Sequence, residues 1–139
     1  MTYKFLEHTA DIKFKAEGKT LEEAFIESAI ALKEVMIGDI KILPQAERKI
    51  SIKGKDMESL LYNFLEEFLF LLDAEKFIIY KISELKINKK DFTLQASLIG
   101  DNSEKYHFTS DVKAVTYNEM KIEFDESRKL YEIQVVLDV

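Results

Sequence analysis

The chain has no cysteine, and its 139 residues include only two histidines, one proline and four glycines. Without cysteine there are no disulfides, thiolate nucleophiles, iron–sulfur clusters or cysteine-based zinc sites. His8 and His107 are too few for a histidine-rich metal site. Any metal would therefore be held mainly by oxygen, which favours calcium, magnesium or manganese. The scarcity of proline and glycine argues against long linkers, so we expect a single domain over residues 1–139.

Long apolar runs and targeting patterns are also absent. No stretch reaches the roughly 18 apolar residues of a membrane-spanning helix. The first residues, Met1 to Lys4, lack the basic-then-apolar pattern of a signal peptide, which predicts a cytoplasmic protein. Hydrophobic residues make up 47% of the chain, enough to argue against disorder.

The charge balance is acidic, with a net charge of −6 and 33% charged residues. Nucleic-acid affinity depends mainly on basic contacts to phosphate, and this sequence has no long basic run. Direct binding of RNA or DNA is therefore not expected. A cationic protein partner fits the charge better.

Two segments follow the helical period. The first begins at Thr20, where Glu23 three residues on predicts a capping box, and Gly38 is well placed to end it. The second begins at Asp56, a favoured N-cap residue. Its broad apolar face, which Phe70 and Leu71 widen, predicts the central packing element of the fold.

The other structured segments alternate between apolar and polar residues, as half-buried strands do. The predicted strands cover residues 3–6, 12–16, 47–53, 77–87, 92–99, 106–108, 112–117, 120–124 and 130–137. The segments 88–91 and 100–103 are predicted turns. This order predicts an α+β fold in which two helices pack on a largely antiparallel β-sheet.

The last predicted strand is followed directly by Asp138 and Val139. The Asp138 side chain and the carboxylate of Val139 place two negative groups together, and like charges destabilise one another unless a cation intervenes. Chain ends often lie close in space, so Asp11 from the N-terminal region can join them. The result would be an oxygen-lined pocket for a hard divalent cation. Calcium is the expected ion, with magnesium and manganese as alternatives.

Each of these residues also has a simpler interpretation. Asp11 can cap a turn through its own backbone, and the two C-terminal carboxylates can simply be solvated. His8 can act as a ligand or proton carrier, or can fix its loop by hydrogen bonds. Glu7 can add an oxygen to the pocket or remain a surface acid.

Lys113 lies in a predicted strand, where it can pair with the acids or with a partner's carboxylate. It can equally be a solvated edge lysine that discourages strand addition. Enzyme signatures are missing: the sequence has no glycine-rich phosphate loop and no Gly-x-Ser-x-Gly elbow. These absences count against a catalytic role.

The sequence resembles the archease family over its whole length. Five segments in the family's order carry the resemblance: FLEHTADI at 5–12, GKTLEEAF at 18–25, LLYNFL at 60–65, VKAVTY at 112–117 and LDV at 137–139. Two positions depart from the family pattern. Asn118 stands where the family often has histidine, and Glu7 stands where it frequently has aspartate.

The resemblance implies a function that composition and periodicity do not reveal. Archeases are protein cofactors of the RtcB-type tRNA-splicing RNA ligase; they promote its guanylylation and restore its repeated turnover. The implied metal ligands are Asp11, Asp138 and Val139, and Lys113 matches a position needed for activation. Glu7 and His8 are further candidates for partner activation. The ligase, not this chain, would use GTP and join RNA ends.

Two other functions remain open. A metal-dependent hydrolase using the same carboxylates would have a deep pocket and turnover without a partner. A general chaperone or adaptor would expose a large apolar patch.

Overall fold

The computed structural model describes residues 1–6, 11–108 and 112–139. These residues form seven strands and two α-helices. In chain order they are β1 (Thr2–Leu6), β2 (Ile12–Gly18), α1 (Leu21–Ile37), β3 (Ala46–Lys53), α2 (Met57–Glu75), β4 (Phe77–Asn88), β5 (Thr93–Asn102), β6 (Ala114–Asp125) and β7 (Leu130–Asp138).

The strands pair in two antiparallel sheets, with orders β1-β2-β7-β6 and β3-β5-β4. Helix α1 contacts β1, β2 and β7 of the first sheet and β4 of the second, whereas α2 contacts β6 and all three strands of the second. The α+β prediction is confirmed. The strands divide between two sheets, and each helix packs against strands of both.

Helix α1 begins at the predicted cap. The Thr20 hydroxyl accepts the Glu23 amide N–H at 3.1 Å, and the Glu23 carboxylate accepts the Lys19 amide N–H at 2.8 Å. The helix ends at Gly38, whose φ of 67° suits a residue without a side chain. Both ends of α1 are therefore set by local chemistry that the sequence shows.

Removing the α1 cap has a defined expected cost. Thr20→Ala should lower the free energy of unfolding by about 1 kcal/mol, because the Glu23 amide loses its acceptor at the helix N-terminus. Thr20→Ser keeps the hydroxyl and is the matched control. Urea denaturation followed by circular dichroism measures both variants. Equal stability of Thr20→Ala and Thr20→Ser would contradict the assigned role of the hydroxyl.

Helix α2 is capped reciprocally. The Asp56 carboxylate accepts the Ser59 amide N–H at 2.8 Å, while the Ser59 hydroxyl accepts the Asp56 amide N–H at 3.1 Å. Behind this cap, α2 buries seven residues: Leu60, Leu61, Phe64, Leu65, Phe68, Leu69 and Leu71. Phe70, which was expected to widen the apolar face, is instead 53% exposed. Helix α2 is thus the predicted packing element, with a narrower buried face than expected.

The predicted strand at 106–108 is wrong. Strand β5 extends through the predicted turn to Asn102, and a short 3₁₀ turn, Ser103–Lys105, follows it. The reason is a buried carboxylate: Asp101 accepts the Tyr106 hydroxyl at 2.7 Å, and the Tyr106 oxygen accepts the Leu43 amide N–H at 2.9 Å. The Tyr106 hydroxyl is the main cause that lowers the pKa of Asp101. This inward hydrogen bonding replaces strand pairing.

Two predicted strands, 112–117 and 120–124, belong to one strand. The pairing of β6 with β7 continues across the gap, with a register shift between Thr116 and Lys121. Four residues, 117–120, bulge out there. The alternation of apolar and polar residues does break between 117 and 120, but the break marks a bulge within one strand rather than a connection between two strands.

Within the described ranges, neither helix is long and apolar enough to cross a membrane.

Candidate functional site

Three strand ends meet at one end of the four-stranded sheet. Strand β7 lies between β2 and β6, and it ends at Asp138. On one side, Ile12 pairs with Leu137; on the other, Ala114 pairs with Asp138. The Asp138 carbonyl also accepts the Lys113 amide N–H at 2.8 Å. The backbone of Asp138 is therefore held at the junction of β2 and β6.

The two predicted aspartates lie at the same end of the β2–β7 ladder. The last pair of that ladder is Ile12 with Leu137, Asp11 directly precedes Ile12, and Asp138 directly follows Leu137. Asp11 is half-buried and Asp138 is exposed. The two residues therefore share one end of the sheet, and metal binding between them stays a prediction.

The other predicted residues of this end are placed as follows. Val139 is half-buried and packs against the hydrophobic core. Lys113 is exposed beside the Asp138 backbone, and its ammonium makes no ion pair within the ranges that the structure describes. Glu7 and His8 fall in residues 7–10, outside the described part of the chain, so their predicted roles stay predictions.

The predicted metal ligands, Asp11, Asp138 and Val139, offer only oxygen donors. In residues 1–6, 11–108 and 112–139, no group of three or more histidine or acidic side chains gathers around one point. Asp11 and Asp138 would need the Val139 carboxylate, main-chain carbonyls or water to complete a coordination shell. Calcium accepts six to eight such oxygens in flexible geometry. An oxygen-only set fits calcium, magnesium or manganese and does not fit metals that need thiolate or several imidazoles.

The start of β6 is fixed by side chains as well as by pairing. The Glu66 carboxylate of α2 accepts the Val115 amide N–H at 2.7 Å. The Thr116 hydroxyl donates to the Val136 carbonyl at 2.9 Å, and its oxygen accepts the Asn118 amide N–H at 3.2 Å. These contacts hold the start of β6, which directly follows Lys113, against both α2 and β7.

The bulge in β6 is tied to the neighbouring strands. Gln134, a buried residue of β7, donates its side-chain N–H to the Glu119 carbonyl at 2.8 Å. The Lys13 ammonium of β2 lies 3.1 Å from the Glu119 carboxylate. Glu119 has a φ of 55°, which is uncommon outside glycine. Asn118, the departure from the family pattern, therefore sits in a bulge that is held from two sides.

Sequence reasoning missed a pair of stacked tyrosines beside this bulge. Tyr62 of α2 and Tyr117 of β6 stack with ring centroids 4.4 Å apart and an interplanar angle of 7°. The Tyr117 side chain remains 52% exposed. A signal was present, because Tyr117 ends the alternating segment just before the break. Nothing in the sequence pattern, however, pairs it with a residue of α2.

The fold defines a class: an α+β protein with two helices, a three-stranded sheet and a four-stranded antiparallel sheet, with Asp11 and Asp138 at one end of the four-stranded sheet. The profile of the Archease protein family (MTH1598/TM1083) matches residues 3–139. The chain belongs to the archease family.

Similar proteins support this assignment over nearly the full length. The chain is 39% identical to "Protein archease" of Pyrobaculum neutrophilum over 99% of this chain and 95% of that protein. It is 42% identical to "Protein archease" of Pyrococcus abyssi over 87% of each. The solution structure of protein 1598 of Methanobacterium thermoautotrophicum superposes with a TM-score of 0.80 at 35% identity, covering 99% of this chain and 98% of that one.

Proposed function

We propose that this chain is a non-enzymatic activator of the RtcB-type RNA ligase, acting in the cytoplasm in tRNA splicing and RNA repair. In this role it promotes guanylylation of the ligase and its multiple turnover. The observation that carries the proposal is that Asp11 and Asp138 each lie one residue beyond the last pair of the β2–β7 ladder, with the Lys113 amide N–H hydrogen-bonded to the Asp138 carbonyl. Membership of the archease family supports it.

The proposed metal ligands are Asp11, Asp138 and Val139, and the expected ion is calcium. When bound, such an ion supplies positive charge that can organise carboxylate or phosphate oxygens. The chain's own contribution is rigidity: pairing on both sides of β7 holds the Asp138 backbone in place before any partner arrives. Groups held in position in this way need little rearrangement at the moment of reaction, which is how preorganised electrostatics lowers a barrier.

Lys113, Glu7 and His8 are the proposed contacts to the ligase around this end. Lys113 is exposed and free to reach a partner carboxylate or phosphate. The net charge of −6 favours a cationic protein surface over the phosphate backbone of RNA. In this proposal the chain therefore affects RNA only by acting on the ligase.

The direct test combines this chain with its cognate ligase. Co-purification should show a complex. Ligation assays with GTP, manganese and calcium should show more product per ligase molecule when the chain is present. Single-turnover assays with guanylylated ligase separate the joining step from re-guanylylation, and only the latter should accelerate. The chain alone should neither join nor hydrolyse RNA. Unchanged turnover in the presence of an excess of the chain would refute the proposal.

A further inference from the structure

Helix α2 and strand β6 run side by side in opposite directions and form one flank of the molecule. Glu66 bonds to Val115 near the aspartate end, and Tyr62 stacks on Tyr117 farther along. At the far end, the first turn of α2 and the residues around Phe124 line a common cavity. This flank leads from the aspartate pair to the opposite end of the four-stranded sheet.

The stacked tyrosines leave an aromatic face open. Tyr62 covers one face of the Tyr117 ring, with the ring centroids 4.4 Å apart, yet Tyr117 stays 52% exposed. The cation–ring contacts found in the described ranges involve Phe77, Tyr80 and Tyr131 rather than Tyr117. An exposed, rigidly stacked ring of this kind is a typical anchor for a partner side chain.

The cavity beyond the tyrosines has a mixed lining with several apolar side chains. Its volume is about 310 Å³, and its apolar lining includes Leu21, Met57, Ile122 and Phe124. Phe124 is 41% exposed. At one edge the ammonium of Lys89 lies 5.4 Å from the ring centroid of Tyr131. The molecule itself thus shows that a cation on an aliphatic stem fits against an aromatic ring in this cavity.

The charge around these aromatic surfaces is mostly negative. Among the described residues, the cavity lining includes three acids, Asp56, Glu58 and Glu123, and one cationic residue, Lys89. Asp56 and Glu58 also act on the stacked pair: burial first, then Tyr62 and these two acids, raise the pKa of Tyr117. Aromatic faces with acids nearby suit guanidinium groups, which stack on rings and pair with carboxylates at once. The same acids repel nucleic-acid phosphates.

We propose that the Tyr62–Tyr117 stack and the adjoining cavity bind an arginine-containing segment of the RNA ligase. This inference rests on the proposed function and deepens it, because it separates docking along the flank from the chemistry at the aspartate end. An arginine would lie on the open face of Tyr117, within reach of Glu58. A neighbouring apolar side chain would enter the cavity over Phe124.

The first test measures affinity for the ligase by isothermal titration calorimetry. Tyr117→Ala should weaken binding about 30-fold, as expected for the loss of an interface anchor. Tyr117→Phe keeps the ring and should bind within about threefold of the parent protein. Tyr80→Ala, which removes another exposed tyrosine on the second sheet, is the matched control and should bind normally.

The second test does not depend on the stack and keeps the inference falsifiable if Tyr117→Ala fails to fold. Glu58→Lys reverses an exposed charge in the first turn of α2. It should weaken binding at least about tenfold at low salt, and less as salt rises, because the contact is electrostatic. Glu84→Lys, a similar reversal on β4, is the control.

The outcomes separate the two proposals. If the parent protein neither binds nor stimulates the ligase, the proposed function fails and this inference fails with it. If the parent protein binds and stimulates the ligase but Tyr117→Ala and Glu58→Lys bind equally well, only this inference is overturned. Variants that keep full affinity for the ligase but lose affinity for RNA would also overturn it, by showing that the occupant is a nucleic acid.

Discussion

Asp138→Asn should reduce the turnover that this chain supports in the RNA ligase by about 10- to 100-fold, comparable to the loss of a well-placed partner at a metal site. The Asp138 backbone is held by its pairing with β6 and by the Lys113 amide. Asparagine keeps that backbone and nearly the same side-chain shape, so the variant removes charge and little else. Asp11→Asn, directly before the start of β2 at the same end of the sheet, should behave in the same way.

The measurement pairs activity with metal binding. Multiple-turnover ligation gives the functional loss, and calcium titration by calorimetry should show weaker binding by the same variants without any ligase present. Asp73→Asn, an exposed acid in the last turns of α2, controls for a general change in net charge. Full stimulation by Asp138→Asn or by Asp11→Asn would remove the aspartate pair from the mechanism.

Phe64→Ala should lower the free energy of unfolding by about 3–5 kcal/mol, the usual cost of deleting a buried phenyl ring. Phe64 is fully buried in the middle of α2. Its ring centroid lies 5.7 Å from that of Phe25 in α1 and 5.1 Å from that of Phe68. The substitution therefore opens a cavity where the two helices meet, and both sheets rest on those helices.

The matched control is Phe70→Ala, on the same helix and with the same change in volume. Phe70 is 53% exposed, so its removal should cost less than about 1 kcal/mol. Urea denaturation curves for both variants, analysed at a common slope, give the comparison. Similar costs for the two phenylalanines would mean that α2 is not the packing centre.

The features predicted best are those set by neighbours in the chain. Thr20 and Asp56 begin the two helices because their side chains accept amide N–H groups three residues on. Gly38 ends α1 because the backbone turns there to a positive φ. The β4–β5 hairpin follows from alternation on both sides of a short polar turn. Each of these signals lies within a few residues, so a sequence displays it directly.

The features that were missed depend on partners distant in the chain. Residues 106–108 alternate like a strand, but the Tyr106 hydroxyl turns inward to a buried Asp101. The break after Tyr117 reads as a connection, whereas Gln134 and Lys13 hold it as a bulge within one strand. The pattern of neighbouring residues in the sequence does not indicate which distant group will accept or donate a hydrogen bond.

The sequence alone determined that the chain forms two capped helices and a set of alternating strands. It also determined that any metal would be held by oxygen. Both conclusions depend only on residue types and short spacings. Only the tertiary structure decided that the strands form two sheets and that the start of β2, next to Asp11, pairs with the end of β7, next to Asp138. Strand register is a long-range property: it arises from which apolar faces bury together when β2 and β7, from opposite ends of the chain, pair.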